Sequence, residues 1–173
     1  NKSEIIENKT LIPCLLKTCT FGYDCKGQFK LNSVNDLNDL VIDFSKEYIL
    51  EKFVDLKKEI SVIITRFKKD SYEIYEPIEN IHQDQILRTS KVPAMIDKKI
   101  KNTSEKWAAH ISEKLDYIGT MCVEFFVDKK NNLYVNEIAP RVHNSGHLTI
   151  NSHSFSQFEN HIRAVCNLEK LTT

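Results

Sequence analysis

Hydrophobic and polar residues repeat along the chain with two periods, one typical of strands and one typical of helices. Apolar or alternating runs that are rich in β-branched and aromatic residues predict strands. The predicted strands are Leu11–Thr18, Tyr48–Val54, Glu59–Phe67, Tyr72–Tyr75, Cys122–Asp128 and Leu133–Ile138. The polar stretches 68–71 and 129–132 are short enough to join the strands on either side of them as antiparallel hairpins.

Three further segments repeat apolar residues with helical spacing, and each is predicted to form an amphipathic helix. The first begins after Ser33, the second spans about 97–117, and the last begins at the capping pair Ser156 and Glu159. The predicted buried residues of the three helices are Val34, Leu37, Val41 and Phe44, then Ile100, Trp107, Ile111 and Leu115, then Phe158, Ile162 and Val165. His161 is expected at the polar surface or as a capping partner. Helices and strands that do not strictly alternate indicate an α+β fold.

Charge and composition limit the classes of function. The 24 basic and 24 acidic residues cancel, which argues against a nucleic-acid-binding or membrane-surface protein, because both carry a basic excess. No apolar run is long enough to span a bilayer, and no secretory signal is recognised, although the chain begins at Asn1 and not at Met. The 5 cysteines are odd in number and lack C-x-x-C spacing, so a reducing cytoplasm is the expected compartment.

The richest group of reactive side chains lies in the run Asn136–His147, directly after a strand-like segment. It combines a carboxylate, a guanidinium, two imidazoles, a hydroxyl and two amides, and polar residues just past a strand end usually face a ligand. A solvated loop is the alternative, although such a loop does not require these residues to be so close together. His143 and His147 are four residues apart, but Gly146 lies between them in a loop, so zinc is not expected.

Glu124 and Glu137 lie on the two strands of the second predicted hairpin. If Asp128 faces Leu133 across the turn, Glu124 faces Glu137, with Cβ atoms roughly 5 Å apart. Carboxylates this close repel one another unless a cation lies between them, and Mg²⁺ bridging phosphates is the natural occupant. A solvent-facing pair is the alternative, and a register slip of one residue would separate the two side chains.

A second candidate ligand site starts at Lys17, which precedes a loop containing Gly22 and Gly27. Exposed backbone N–H groups in such a loop can wrap a polyphosphate while the lysine supplies positive charge. A plain hairpin loop is the alternative, because the loop matches neither common phosphate-binding glycine pattern. The strand end Glu51–Val54 could bind an adenine edge and Glu59 could accept from ribose hydroxyls, with strand-end and surface roles as the alternatives.

Four motifs, taken in order, make the sequence resemble a known enzyme family. They are Gly22–Gln28, His82–Ser90, Asn136–His147 and Ser156–Ala164. Together they are similar to the N5-carboxyaminoimidazole ribonucleotide synthetases, the ATP-grasp enzymes of purine biosynthesis, and the last two motifs are specific to that family among ATP-grasp proteins. The resemblance runs from about Leu11 to about Leu168, which is nearly the whole chain.

The resemblance implies an ATP-grasp fold in which ATP lies between two α+β lobes. Residues 1–50 would form the lid subdomain, and residues 51–173 the central subdomain with the metal site and the substrate loop. The family's N-terminal Rossmann-like domain and small C-terminal domain have no counterpart in these 173 residues, so poor turnover by the isolated chain is expected.

The implied reaction uses ATP and bicarbonate to form carboxyphosphate. That species, or CO₂ released from it, carboxylates 5-aminoimidazole ribonucleotide to N5-carboxyaminoimidazole ribonucleotide, with ADP and phosphate as the other products. Members of the family are often homodimers, and a mutase follows them in the pathway.

The resemblance also implies roles for individual residues. The expected ATP-binding residues are Lys17, Gly22, Tyr23, Asp24, Cys25, Lys26, Gly27, Gln28, Glu51, Lys52, Phe53, Val54, Glu59, His82, Asn136 and Glu137. The expected ligands of Mg²⁺, or of Mn²⁺ as the alternative ion, are Glu124 and Glu137. The expected catalytic residues are Tyr23, Asp24, Lys26 and Arg141, and the expected substrate-binding residues are Arg141, Asn144, Ser145 and His147.

The chain departs from the family at Phe21 and Cys25, where the family's loop normally has glycine. If position 25 requires a positive φ, a side chain there costs about 1 kcal/mol or more. Cys25→Gly is therefore expected to lower the KM for ATP. Steady-state kinetics would test this, and an unchanged or higher KM would contradict it.

Two other functions are consistent with parts of the sequence. A related ATP-grasp ligase that uses formate or biotin is the first, and the loop Arg141–His147 argues against it. A degenerate nucleotide-binding module without catalysis is the second, and Phe21 and Cys25 motivate it. The residues that weigh against a degenerate module are Lys17, Glu124, Glu137 and Arg141.

Overall fold

The computed structural model describes residues 1–20, 27–43, 45–68, 71–83 and 86–171. The chain divides into two units, Asn1–Asp55 and Leu56–Thr173. The division falls after the predicted boundary at residue 50, because the strand Tyr48–Lys52 pairs with Cys14–Thr18 of the first unit. The interpretation of the two units as a lid and a central subdomain stays a prediction.

The first unit is a three-stranded antiparallel sheet with short helices. Its elements are α1 (Lys2–Glu7), a 3-10 helix (Lys9–Leu11), β1 (Cys14–Thr18), β2 (Gln28–Leu31), α2 (Asp36–Asp39) and β3 (Tyr48–Lys52). The strand order is β2-β1-β3, so β1 is central and β3 forms one edge of this sheet. A small apolar core lies beneath the sheet and consists of Ile5, Cys14, Leu16, Leu31 and Leu37. The predicted strand at Leu11 begins later than expected, because the 3-10 helix precedes it.

The predicted helix after Ser33 is wrong beyond one turn. The carboxylate of Asp36 accepts hydrogen bonds from the Asn32 N–H at 2.7 Å and from the Ser33 hydroxyl at 2.6 Å. Ser33 therefore donates into the turn and does not cap a helix. The chain leaves the helix after Asp39, and Val41 is 93% exposed where the helical spacing predicted burial.

The second unit is built on a six-stranded antiparallel sheet. Its strands are β4 (Leu56–Phe67), β5 (Ser71–Ile74), β6 (Ile78–Gln83), β7 (Ile86–Lys91), β8 (Gly119–Asp128) and β9 (Leu133–Ala139). The order is β7-β6-β4-β8-β9, and β5 also pairs with β4. Both predicted hairpins are confirmed, because β4 pairs with β5 and β8 pairs with β9. The strands β6 and β7 were not predicted.

Four helices accompany this sheet. They are α3 (Lys98–Lys114), a 3-10 helix (Asn144–Leu148), α4 (Thr149–Ser152) and α5 (Gln157–Val165). Asp97 caps α3 by accepting a hydrogen bond from the Ile100 N–H at 2.8 Å. The buried face of α3 is formed mainly by small residues, and the prediction that Trp107 lies in the core is wrong, since it is 38% exposed. Its ring packs obliquely on that of Phe125, with centroids 6.4 Å apart.

Helix α5 presents polar residues to the sheet. Its cap is confirmed, since the Ser156 hydroxyl accepts a hydrogen bond from the Glu159 N–H at 3.2 Å. The predicted inner face is wrong, because Ile162 is 56% exposed and the buried positions are Gln157, Asn160 and Ala164. His161 is half-buried, and its Nδ1 accepts the Thr120 N–H of β8 at 3.0 Å.

The main hydrophobic core lies between the sheet and α3. It consists of Ile60, Val62, Ile64, Ile100, Ala108, Ala109, Met121, Val123, Phe125 and Val127. The long strands β4 and β8, which supply most of these residues, run side by side at the centre of the sheet. Among the described residues, none of the helices combines the length and the apolarity that a bilayer crossing would require.

Candidate nucleotide and metal site

A β-bulge places two successive residues of β9 opposite Glu124 of β8. Near the turn, Val127 faces Leu133, one residue away from the assumed register. The register then shifts between Phe125 and Glu124, and Glu124 faces Glu137 as predicted. A bulge sets two residues against one, so Asn136 and Glu137 can both face Glu124, which a regular strand would not allow.

The electrostatics of Glu124 reflect this crowding. Burial raises the pKa of Glu124, and the charge of Glu137 raises it further. His82 and a hydrogen bond from Asn136 act in the opposite direction, and Glu59 adds another negative charge nearby. Nδ1 of His82 lies 2.7 Å from Oε2 of Glu59. The structure therefore brings together the predicted residues Glu59, His82, Glu124, Asn136 and Glu137.

His143 extends this cluster from the loop after β9. Its Nε2 lies 3.3 Å from Oε1 of Glu124. Burial is the main reason that the pKa of His143 is lowered to about 4, and positive charge on Arg141, His147 and His82 acts in the same direction. The ring is therefore neutral near pH 7, and its contact with Glu124 is not an ion pair at that pH.

Ser145 was expected to line the substrate wall, but it is fully buried. Its hydroxyl accepts a hydrogen bond from the Ser61 hydroxyl at 2.8 Å and lies 2.9 Å from Nδ1 of His143. Sγ of Cys122 is 4.0 Å away. The side chain is enclosed by protein and contacts His143, and its expected role in substrate binding stays a prediction.

Gln157 holds the backbone of His143 from both sides. Its Oε1 accepts the His143 N–H at 3.0 Å, and its Nε2 donates to the His143 carbonyl at 2.7 Å. Gly146 allows this approach, because a Cβ at that position would lie 2.5 Å from Oε1 of Gln157. The side chain of Gln157 thereby connects α5 to the candidate site.

The remaining predicted residues of this loop are exposed. Arg141, Asn144 and His147 all lie at the surface, where a ligand could reach them. Nη1 of Arg141 donates to the Val142 carbonyl at 2.9 Å, and the His147 ring stacks on Phe158 with centroids 5.6 Å apart. The role of these three side chains in substrate binding stays a prediction.

The first unit carries a separate group of predicted ATP-binding residues. Nζ of Lys17 lies 2.6 Å from Oε2 of Glu51, and Gln28 pairs with Lys17 across β1 and β2. Gly27 has a φ of +77°, and a Cβ there would lie 2.7 Å from Oγ1 of Thr18. Glycine is therefore required at position 27, directly before β2.

The predicted adenine-binding segment ends the edge strand β3. Glu51 and Lys52 belong to the strand, while Phe53 and Val54 follow it. Backbone groups on the outer side of an edge strand point away from the sheet, so they are available to a ligand. The Phe53 N–H is used, because it donates to the Pro13 carbonyl at 2.9 Å. The Phe53 ring faces Nζ of Lys30, which lies 4.4 Å from its centroid.

Several predictions concern residues outside the part of the chain that the structure describes. These residues are Phe21, Gly22, Tyr23, Asp24, Cys25 and Lys26, together with Phe44 of the first predicted helix. The expected catalytic roles of Tyr23, Asp24 and Lys26, and the effect expected for Cys25→Gly, stay predictions.

The donor atoms around Glu124 fit a hard divalent cation. Carboxylates of Glu124 and Glu137 face each other, and an uncompensated pair of this kind is unfavourable without a cation. A softer donor set also exists, because ligand atoms of Cys122, Glu124 and His143 all lie within 4.8 Å of one another. Burial raises the pKa of the Cys122 thiol strongly, which opposes the thiolate that zinc prefers. The oxygen set therefore suits Mg²⁺ better than the softer set suits zinc.

The positions of two residues of the candidate site were not predicted from the sequence. The spacing of His143 from His147 raises only the question of a zinc site and does not predict the contact of His143 with Glu124. Gln157 appeared in a family motif, but no role was assigned to it. The sequence did contain a signal for Gln157, because it is the first residue of a helix whose cap was predicted. A glutamine that is buried at such a position requires hydrogen-bond partners.

The lowered pKa of His143 predicts a pH-dependent stability. An unfolded histidine has a pKa near 6.5, so between about pH 6.5 and about pH 4 the unfolded chain binds more protons at this position than the folded chain. The contribution of His143 is therefore present above pH 6.5 and is lost as the pH falls toward 4. Urea unfolding of the wild type and of His143→Gln at about pH 7 and about pH 5 checks this. The wild type is expected to lose more stability, and equal losses would contradict the prediction.

Comparisons with known proteins identify the family of the chain. The ATP-grasp domain family model matches residues 2–158. N5-carboxyaminoimidazole ribonucleotide synthase from Staphylococcus aureus strain COL is 42% identical over 154 residues, which are 88% of this chain and 41% of that protein. The chain thus spans about two fifths of the length of the curated relatives it matches.

Solved structures give the same result. N5-carboxyaminoimidazole synthetase from S. aureus complexed with ADP matches with a TM-score of 0.88 and 38% identity, over 99% of this chain and 47% of that one. The Aspergillus clavatus enzyme in complex with ADP and 5-aminoimidazole ribonucleotide matches with a TM-score of 0.86 and 28% identity, over 99% of this chain and 45% of that one. The chain therefore belongs to the ATP-grasp family, and the relatives described above are N5-carboxyaminoimidazole ribonucleotide synthases.

Proposed function

We propose that the chain is the nucleotide- and substrate-binding part of an ATP- and bicarbonate-dependent ligase. The reaction would carboxylate 5-aminoimidazole ribonucleotide to N5-carboxyaminoimidazole ribonucleotide through carboxyphosphate, in purine biosynthesis. The observation that carries the proposal is the opposed pair Glu124 and Glu137. In a chain that matches these synthases, this pair supplies the acidic metal site that a phosphate-transferring enzyme requires.

The charged groups of the second unit support binding of Mg·ATP. Glu124 and Glu137 would hold Mg²⁺, or Mn²⁺ as the alternative ion, and Asn136 would contribute a neutral donor beside them. The ion would neutralise charge on the phosphates. Glu59 would accept from the ribose hydroxyls, with His82 adjacent to it. Relatives have been crystallised with ATP and with ADP, which supports a nucleotide as the ligand.

The loop after β9 supports the carboxylation half of the proposal. Arg141 is exposed and carries a planar guanidinium that can form two parallel hydrogen bonds to an oxyanion such as carboxyphosphate. Asn144 and His147 are exposed in the same loop and would contact the ribonucleotide. In the first unit, Lys17 would leave Glu51 and bind phosphate, while the backbone of Glu51–Val54 would receive the adenine edge. Tyr23, Asp24 and Lys26 would complete the catalytic set.

The partners of the chain follow from the same assignment. Bicarbonate and 5-aminoimidazole ribonucleotide would be the small-molecule substrates, a homodimer would be the assembly, and a mutase would consume the product. A reducing cytoplasm agrees with the cysteines, because the four that the structure describes, Cys14, Cys19, Cys122 and Cys166, are all free thiols.

The test is ADP release by the chain with Mg²⁺ and bicarbonate, measured with and without 5-aminoimidazole ribonucleotide. Glu137→Gln serves as the inactive variant. In parallel reactions formate replaces bicarbonate, and biotin replaces the ribonucleotide as the carboxyl acceptor with bicarbonate present. ADP release that requires bicarbonate, rises with the ribonucleotide and is lost in Glu137→Gln would support the ligase. Stimulation by formate or biotin, or the absence of any Mg²⁺-dependent ATP binding, would overturn it.

A further inference from the structure

A chain of buried hydrogen bonds runs through the sheet beneath the candidate metal site. Its outer links lie between β7, β6 and β4: the Ser90 hydroxyl is 2.9 Å from Oδ1 of Asn80, and Nδ2 of Asn80 is 2.9 Å from the Ser61 hydroxyl. Its inner links continue through Ser145 to His143. Asn80, Ser61 and Ser145 are all buried, so solvent does not compete for these hydrogen bonds.

The direction of every link is set by one backbone group. The Ser145 N–H points at Nδ1 of His143 at 3.3 Å, and a backbone N–H can only donate. Nδ1 is therefore an acceptor, and the Ser145 hydroxyl, 2.9 Å from the same nitrogen, must donate to it. Ser145 then accepts from Ser61, Ser61 accepts from the amide NH₂ of Asn80, and Asn80 accepts from Ser90.

The inner end of this chain meets the metal site. With Nδ1 occupied as an acceptor, the hydrogen of the neutral ring is on Nε2, which lies 3.3 Å from Oε1 of Glu124. At this distance an N–H attracts a carboxylate and favours the orientation that brings it closer, whereas a lone pair in the same place would repel it. Outer groups that orient metal ligands in this way commonly change metal affinity about 10–100-fold when they are altered.

We propose that Asn80 and Ser61 are positioning residues, which fix His143 in its Nε2–H tautomer through Ser145 and so orient the Glu124 carboxylate toward the metal. The functional part of this inference rests on the proposed role of Glu124 as a metal ligand. The tautomer itself does not depend on that role.

Asn80→Asp tests the chain of hydrogen bonds by reversing the direction in which its members donate. The variant keeps the shape of the side chain, but a carboxylate cannot donate, so Ser61 would turn its hydrogen toward the new carboxylate and Ser145 would turn its hydrogen toward Ser61. The oxygen of Ser145 would then face Nδ1 and favour a hydrogen there. Ser61→Ala in the same protein breaks the link, so the double variant is expected to return to the Nε2–H tautomer.

The measurement is ¹⁵N NMR of the histidine ring in the full chain, without metal or nucleotide and at a pH where the ring is neutral. His143→Gln assigns the signals. We expect Nε2–H in the wild type, a shift of the tautomer ratio toward Nδ1–H in Asn80→Asp, and its reversal in the double variant. Ser90→Ala is the matched control, because it removes a hydroxyl from the outer end and leaves the inner links in place.

Three results would overturn the proposal. The first is Nδ1–H in the wild type, which decides the question even if Asn80→Asp does not fold. The second is an unchanged tautomer in Asn80→Asp. The third is a double variant that behaves as Asn80→Asp does, since this would indicate an effect of charge alone.

Mg²⁺ titration of ATP binding then tests the functional part. About 10-fold weaker Mg²⁺ affinity is expected in Asn80→Asp, with recovery in the double variant. Unchanged Mg²⁺ affinity in a variant whose tautomer has shifted would overturn the link to Glu124. A wild type that binds no Mg·ATP would instead refute the proposed function, with the tautomer result still standing.

Discussion

Glu124→Gln is expected to weaken Mg²⁺-dependent ATP binding by at least about 10-fold, because the loss of an interaction with a charged group costs roughly 1.5–3 kcal/mol. In the absence of metal the same change is expected to stabilise the fold by up to about 1 kcal/mol, because it removes the repulsion between directly opposed like charges. Glu124 is largely buried and faces Glu137, so its charge is expected to affect both metal-dependent binding and the stability of the fold. Opposite signs for binding and stability distinguish a metal ligand from a structural carboxylate.

Isothermal titration with Mg·ATP and urea unfolding without metal would measure the two effects. Glu113→Gln is the matched control, since it makes the same charge change on the exposed side of α3. It is expected to change neither quantity appreciably. Weaker binding accompanied by lower stability would indicate that Glu124 supports the fold and would contradict the assignment.

Gln157→Leu is expected to destabilise the chain by about 2–6 kcal/mol, because the N–H and the carbonyl of His143 both lose their partner and each such loss costs roughly 1–3 kcal/mol. For a chain of this size, the expected decrease in Tm is roughly 10 °C. Gln83→Leu, at an exposed strand end, makes the same change without buried partners and is expected to have little effect. A similar decrease for both variants in thermal unfolding would contradict the role of Gln157.

Gly146→Ala probes the same contact from the other side. The added Cβ would lie 2.5 Å from Oε1 of Gln157, so a cost of about 1–3 kcal/mol is expected. In a Gln157→Ala background the clashing atoms are absent, and the cost of Gly146→Ala should disappear. Additive effects of the two changes in urea unfolding would show that the clash is not the cause.

The parts of the fold that followed from the sequence are those that local spacing determines. The period of two along 59–67 and 122–138, with short polar turns, was sufficient for both hairpins. Strands β6 and β7 were missed, because polar residues such as His82 and Gln83 interrupt the alternation there. Trp107 and Ile162 were misplaced for a related reason, since the buried faces of α3 and α5 are formed mainly by small or polar residues.

The candidate site was predictable only in part, because its chemistry depends on partners that are distant in sequence. The sequence predicted that Glu124 and Glu137 pair across β8 and β9. The alternation of apolar and polar residues does not predict the bulge that also turns Asn136 toward Glu124. Ser145 has the composition of a ligand-binding residue, yet its partner Ser61 is 84 positions away and encloses it in the core. Such contacts become visible only when the strands are assembled.

The two hydrogen bonds between Gln157 and the His143 backbone also determine how much of the chain a minimal nucleotide-binding fragment must contain. A shortened protein that stopped after His147 would retain every described residue expected to touch a ligand. It would nevertheless lose α5, and with it the two hydrogen bonds that hold the His143 backbone. Domain dissection should therefore keep the chain through Val165, because the last structural requirement of the site lies well beyond its last contact residue.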